Sequence, residues 1–162
     1  MKPLDLSPDA PWRKRFTVPL VPISHVAGRN PSRGLATSNQ SGVYQLHAWD
    51  VDTGSMRQIT DAPAGVVFGG ISPDGRWIYY HKDQQGNEIG HFVRVPFEGG
   101  EPEDITPDMP LYSSFSLTQS MTGAVLGFST STRDGDTQYV LPIAPDGTPG
   151  SRRVLHSSKR LT

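Results

Sequence analysis

Apolar positions come in short runs along this chain, and clusters of turn-forming residues separate them. "WIYY" (Trp77–Tyr80), "HFVRVPF" (His91–Phe97) and "AVLGF" (Ala124–Phe128) are each bounded by Gly, Pro, Asp, Asn or Ser. Runs this short with this punctuation predict strands. No stretch of a dozen residues shows i, i+3, i+4 apolar spacing free of Gly and Pro, so the pattern predicts almost no helix. "WIYY" and "VLGF" are nearly continuous instead of alternating. That is expected where both faces of a strand pair are buried.

The pattern repeats. "RQIT" ends at Thr60 and "EDIT" at Thr106, a gap of 46 residues. Turn glycines Gly54, Gly100 and Gly147 are 46 and 47 residues apart, and the glycines of "SPDG" and "SMTG", Gly75 and Gly123, are 48 apart. Three markers sharing one period predict a repeat architecture, and this length matches a four-stranded propeller blade. The fold expected is all-β, a partial β-propeller of about three four-stranded antiparallel blades. A 1–14 N-terminal extension precedes a 15–162 propeller segment, with blades near 15–60, 65–106 and 111–157.

In the middle blade the strands are Val66–Ile71, Trp77–Lys82, His91–Phe97 and Glu103–Thr106. In the third they are Tyr112–Leu117, Ala124–Ser129, Gln138–Ile143 and Arg152–His156. In the first, Gly34–Ser38, Val43–Asp50 and Met56–Thr60 are the last three strands. Arg15–Val26 is to supply the first, with Pro19 and Pro22 confining it to an edge. In "SPDG", Pro73 presets φ for a type I turn, Asp74 suits the bridge region, and Gly75 takes the left-handed position.

"ISPDGRWIYY" followed by "VRVPFEGGEPEDIT" resembles the blade motif of TolB-like propellers. The wider run, "SNQSGVYQLHAWDVDTGSMRQITDAPAGV" and then "DQQGNEIGHFVRVPFEGGEPEDITPDMPLYS", resembles the N-terminal propeller of prolyl oligopeptidase family serine peptidases, in particular the acylaminoacyl-peptidase and dipeptidyl-peptidase-like branch. The resemblance covers about Arg33 to Ser157. It implies a propeller that screens substrates and helps to hold peptide ends, covering a C-terminal α/β-hydrolase domain. That domain has no counterpart within Met1–Thr162. The reading expected is a non-catalytic propeller portion of a longer peptidase. The alternative is a stand-alone TolB-like scaffold for protein–protein interaction. Three blades do not close a ring, so the outer faces of the first and third blades are expected to be exposed, apolar and prone to self-association.

The candidate chemistry is sparse. A nucleophile elbow needs Gly-x-Ser-x-Gly. "GISPD" has Asp74 where the last glycine belongs, and "GFSTS" has Ser131 there. Ser72 and Ser129 therefore read as a strand-end serine and a strand serine, and no catalytic residue is assigned. His25, His47, His81, His91 and His156 form no ligand cluster with carboxylates, so no metal is assigned. His81 and His91 face each other across a hairpin as strand-end, solvent-exposed histidines. Trp49 reads as blade core. No cofactor is assigned.

"DQQGNE", Asp83–Glu88, is the best polar cluster. As a hairpin loop it uses Gly86 and Asn87 for positive φ, and Asp83 and Glu88 accept bonds from loop N–H groups. As a rim loop it is the candidate contact for a substrate end or the hydrolase domain, through Asp83, Asn87 and Glu88.

Net charge is -1, and "WRKRF" (Trp12–Phe16) is the one dense basic stretch; a nucleic-acid partner needs a broader basic face. No apolar run reaches membrane-span length, and no leader pattern stands at the N-terminus. Cysteine is absent, which removes disulfides and thiolate sites. The expected setting is cytoplasmic.

Overall fold

The computed structural model describes residues 3, 5–13, 18–114 and 116–159. All its regular elements are strands. β1 (Ile23–Ala27), β2 (Asn30–Ser38), β3 (Gln45–Asp50) and β4 (Met56–Gln58) form a four-stranded antiparallel sheet in that order. β5 (Gly69–Ile71), β6 (Trp77–Asp83), β7 (Ile89–Pro96) and β8 (Glu103–Asp104) form the middle blade. β10 (Leu117–Gln119), β11 (Val125–Ser131), β12 (Gly135–Pro142) and β13 (Arg153–Lys159) form the third. This is an all-β, partial propeller. β1 begins directly after Pro22 and is an edge strand, because proline donates nothing to a ladder. Of the segment expected to supply it, Arg15–Thr17 lies outside the described residues.

One feature departs from three separate blades. The expected strand Tyr112–Leu117 splits: Leu117 begins β10, while β9 (Tyr112–Ser113) pairs with Ile89 and Gly90 of β7 and with Ser131 of β11. It joins the second and third blades into one nine-stranded sheet. Gly90 sits where a Cβ would lie 1.9 Å from the Lys82 carbonyl oxygen, so only glycine fits the hairpin at this point.

Alternation along β6 and β7 explains the continuous apolar runs. Ile78, Tyr80, Val93 and Val95 pack with Leu35, Leu46 and Ala48 of the first blade. Tyr79 and Phe92 point the other way and pack with Leu126, Phe128 and Leu141 of the third. The middle blade is thus buried on both faces. Burying a Leu- or Phe-sized side chain stabilises by about 1.5–3 kcal/mol. Gly69 lets the first blade close on β5: a Cβ there would lie 2.6 Å from Leu46 Cδ1 and 2.9 Å from the Tyr79 carbonyl oxygen.

The outward faces differ from expectation. Alternation places Ala36, Ser38, Gln45 and His47 on the first blade's side away from the second, and all four are buried. This side is polar and satisfied. Gln40 Nε2 donates to His47 Nε2 at 2.9 Å, and His47 Nδ1–H donates to the Gln45 carbonyl at 3.0 Å. The third blade's outward side carries Val125, Gly127, Ser129 and Val140, all half-buried.

The repeat markers have a common physical role. Ile59 N–H donates to the Leu46 carbonyl at 2.7 Å, and 46 residues on Ile105 N–H donates to the Phe92 carbonyl at 3.0 Å. Thr60 Oγ1 accepts from Leu46 N–H at 2.9 Å. At the matching place in the middle blade the Tyr112 hydroxyl accepts from Phe92 N–H at 2.9 Å and meets Thr106 Oγ1 at 2.9 Å. The a–b turns match as well. Gly75 N–H reaches the Ser72 carbonyl at 2.8 Å and Gly123 N–H the Ser120 carbonyl at 2.9 Å, with φ of 74° and 76°.

Candidate functional site

The loop Gln84–Glu88 joins β6 to β7. It lies on the rim where the connectors between blades also run. Asp83 Oδ1 accepts from Gly86 N–H at 3.2 Å, and Oδ2 accepts from Glu88 N–H at 2.8 Å. Asn87 Oδ1 accepts from Ile89 N–H at 3.0 Å and Gln84 N–H at 3.3 Å. These two side chains hold the loop. Positive φ falls at Gln85 (57°), Gly86 (82°) and Glu88 (61°), so of the two positions expected to turn left-handed only Gly86 does. Glu88 accepts no loop N–H; its carboxylate has no hydrogen-bond or ion-pair partner among the described residues.

Asp83 and Glu88 line one cleft of about 430 Å³, which Asn87 does not reach. One wall is the connector into β5, Ala64–Phe68; the opposite wall is Ser114, Ser116 and Leu117, leading into β10. Tyr80, His81 and Phe92 form the floor. Phe68 is 71% exposed and Val67 41%. Glu88 also borders a second, hydroxyl-rich groove of about 750 Å³ with Ser129, Ser131 and Thr132, so it stands on the wall between the two.

His81 and His91 do not meet; the Tyr112 ring lies between them, with its centroid 5.5 Å from each. Neither is fully exposed. His81 Nε2–H donates to the Tyr112 carbonyl at 3.2 Å, and its ring packs edge-on to Phe92 at 5.3 Å. Burial lowers its pKa from the usual 6.5, opposed by the Tyr112 carbonyl, so the ring is neutral at pH 7. His91 Nδ1 bonds Asp104 Oδ2 at 2.6 Å, and its Nε2 is buried without a partner. No group of three or more His, Cys, Asp or Glu among the described residues is placed to hold a metal.

Ser72 Oγ donates to Asp74 Oδ1 at 2.6 Å and accepts from Trp77 N–H at 2.9 Å, which locks it into the β5–β6 turn. Ser129 Oγ pairs with Ser116 Oγ at 2.6 Å. Trp49 is half-buried and lies across Gly34, where a Cβ would come within 2.6 Å of its ring. Of the basic stretch, Lys14–Phe16 lie outside the described residues. Trp12 Nε1–H donates to the Asp5 carbonyl, and Arg13 stacks on the Trp12 ring at 5.0 Å.

Sequence reasoning found the acidic loop and missed Phe68. "VVFGGI" reads as one strand, but β5 starts only at Gly69. The signal was the run's length: it exceeds what a short inner strand needs, so its first half is free to wall a cleft.

The fold has clear counterparts. A protein assigned as TolB from Agrobacterium tumefaciens superposes with a TM-score of 0.60 at 22% identity, over 84% of this chain and 49% of its own. TolB from Acinetobacter baumannii gives 0.55 at 17%, over 85% and 33%. The tricorn protease gives 0.60 at 15%, over 77% and 14%. The fold is that of a TolB-like β-propeller. The chain spans less than two thirds of each of these proteins. No protein-family profile and no curated sequence matches it.

Proposed function

We propose that this chain is the non-catalytic propeller portion of a serine peptidase of the prolyl oligopeptidase type, where it gates and holds peptides ahead of a C-terminal α/β-hydrolase domain. The observation that carries the reading is the rim cleft. It is large enough for a peptide side chain, and its acidic loop, Asp83 to Glu88, belongs to a run that resembles that family. The likeness to the tricorn protease, a peptidase, supports it. Ser72 and Ser129 are tied into a turn and a hydroxyl pair, which suits a binding role.

The test is turnover of acyl-amino-acid and dipeptidyl chromogenic substrates. The pure 162-residue chain is expected to show none, and a parent reading frame is expected to continue into Gly-x-Ser-x-Gly followed by Asp and His. Turnover by the pure chain that disappears in Ser72→Ala or Ser129→Ala overturns the reading. So does a native stop after Thr162.

The two TolB likenesses favour a second reading, a stand-alone interaction scaffold. It expects a monodisperse oligomer in light scattering; a polydisperse aggregate counts against it.

A further inference from the structure

The 430 Å³ cleft has a composition that selects its occupant. Its walls are largely apolar, with Val67 and a Phe68 ring that is 71% exposed. The charged groups on its lining are the Asp83 and Glu88 carboxylates, with neither lysine nor arginine among the lining residues. Asp83 spends its oxygens on the Gly86 and Glu88 N–H groups. Glu88 spends none. His81 on the floor is committed to the Tyr112 carbonyl as a neutral donor. An exposed aromatic face and one unspent carboxylate, in a partly enclosed site of side-chain size, are complementary to a cation carried on an apolar stem. A neutral or acidic side chain would leave Glu88 unpaired and, for an acid, repelled.

We infer that this cleft binds an arginine or lysine side chain of an extended peptide, with the cationic head against Glu88 and over Phe68. The inference rests on the peptide-gating reading and names the residue class that the gate admits. Arginine suits it better than lysine, because a planar guanidinium both stacks on a ring and forks onto a carboxylate. The chain ends of the peptide play no part.

The experiment is calorimetric titration of the full chain with acetylated, amidated pentapeptides. One series carries a central arginine. A second carries citrulline, which has the same shape without the charge. A third leaves the α-amine free on an all-alanine peptide. The arginine peptide is expected to bind at least tenfold more tightly than the citrulline peptide, and the advantage is expected to shrink with added salt. Glu88→Gln and Phe68→Ala are each expected to weaken arginine binding about tenfold. Glu88→Gly is expected to lose the same affinity while its melting temperature rises, which separates lost binding from lost folding. Equal binding of the arginine and citrulline peptides, or unchanged binding by Glu88→Gln, overturns the side-chain assignment and leaves the gate reading standing. So does a preference for the free α-amine. Failure of every peptide to bind overturns both.

Discussion

At the scale of single residues, the rim loop divides its labour between side chains that build it and one that does not. Asp83 and Asn87 each accept two loop N–H groups. Glu88 sits at a φ of 61° with a carboxylate unpaired among the described residues. A non-glycine residue held there costs on the order of 1 kcal/mol. Glu88→Gly is therefore expected to raise stability by about 0.5–1 kcal/mol in urea denaturation; a fall would mean that the carboxylate supports the loop. That a turn stands here was legible, since Asp, Gly and Asn are turn chemistry. Which residues turn left-handed was not, because Asp83 sets it by reaching across to the Glu88 N–H. The "IT" repeat carries a similar lesson. Its spacing was legible and its purpose was not: Thr60 Oγ1 donates to Gln45 Oε1 at 2.7 Å while accepting from Leu46 N–H. Thr60→Val keeps the shape, strands the buried Leu46 N–H and leaves Gln45 Oε1 with only the Ala62 N–H at 3.3 Å. It should cost about 1–3 kcal/mol, read from the urea midpoint, and a change under 0.5 kcal/mol would show that water replaces the hydroxyl.

At the scale of elements, strands were legible wherever an apolar run ended at a turn signal, as at "SPDG" before β6. The inner strands were less so. β5 holds only Gly69–Ile71, and its two glycines pair with β6 while allowing close approach on both faces. Gly69 faces Leu46 and Leu35 of the first blade, and Gly70 faces Gln119 of the third, 3.0 Å from where its Cβ would be. Gly69→Ala must move either the Leu46 side chain or the Tyr79 carbonyl. An overpacked contact of this kind costs about 1–3 kcal/mol, so thermal unfolding should shift down by several degrees. An unshifted transition would mean that the two blades slide apart freely. The β9 bridge was legible only as the start of the expected strand Tyr112–Leu117; that it splits off and bridges β7 and β11 was not. Two residues have too little length for periodicity, and what holds them is backbone pairing across two blades.

At the scale of the whole molecule, the blades are joined by apolar faces and by arginines that reach across them. Arg57 donates to the Phe97 carbonyl of the next blade, and Arg94, buried and stacked 4.0 Å over Trp77, donates to the Gly147 carbonyl while pairing with Glu103. Blade number and stacking were legible from the repeat. The polar burial on the first blade's outer side was not, since "YQLHAWD" gives no sign that His47 ends fully enclosed. That burial makes the molecule acid-sensitive in a predictable window. In the folded chain His47 accepts from the Gln40 amide and is neutral, and burial holds its pKa below 6.5; His81 shifts the same way for the same reason. An unfolded chain protonates both near 6.5, where the folded chain does not. Below that pH the unfolded state binds more protons, so stability is full above 6.5 and falls as pH drops toward the folded values, by at most about 1.4 kcal/mol per pH unit for each histidine. The carboxylates do not confuse this window. Burial pushes the Asp74 carboxyl up, but bonds from Ser72 and Arg76 together outweigh it and hold it below its usual 3.8, so it keeps its contribution until pH falls under that value. Urea midpoints should therefore drop between pH 7.5 and pH 5, and His47→Gln, which keeps a buried polar group that does not titrate, should flatten part of the slope. Equal midpoints at the two pH values would mean that both rings protonate inside the fold as easily as outside it, and that the Gln40 amide turns over so that its oxygen accepts from the new Nε2–H of His47.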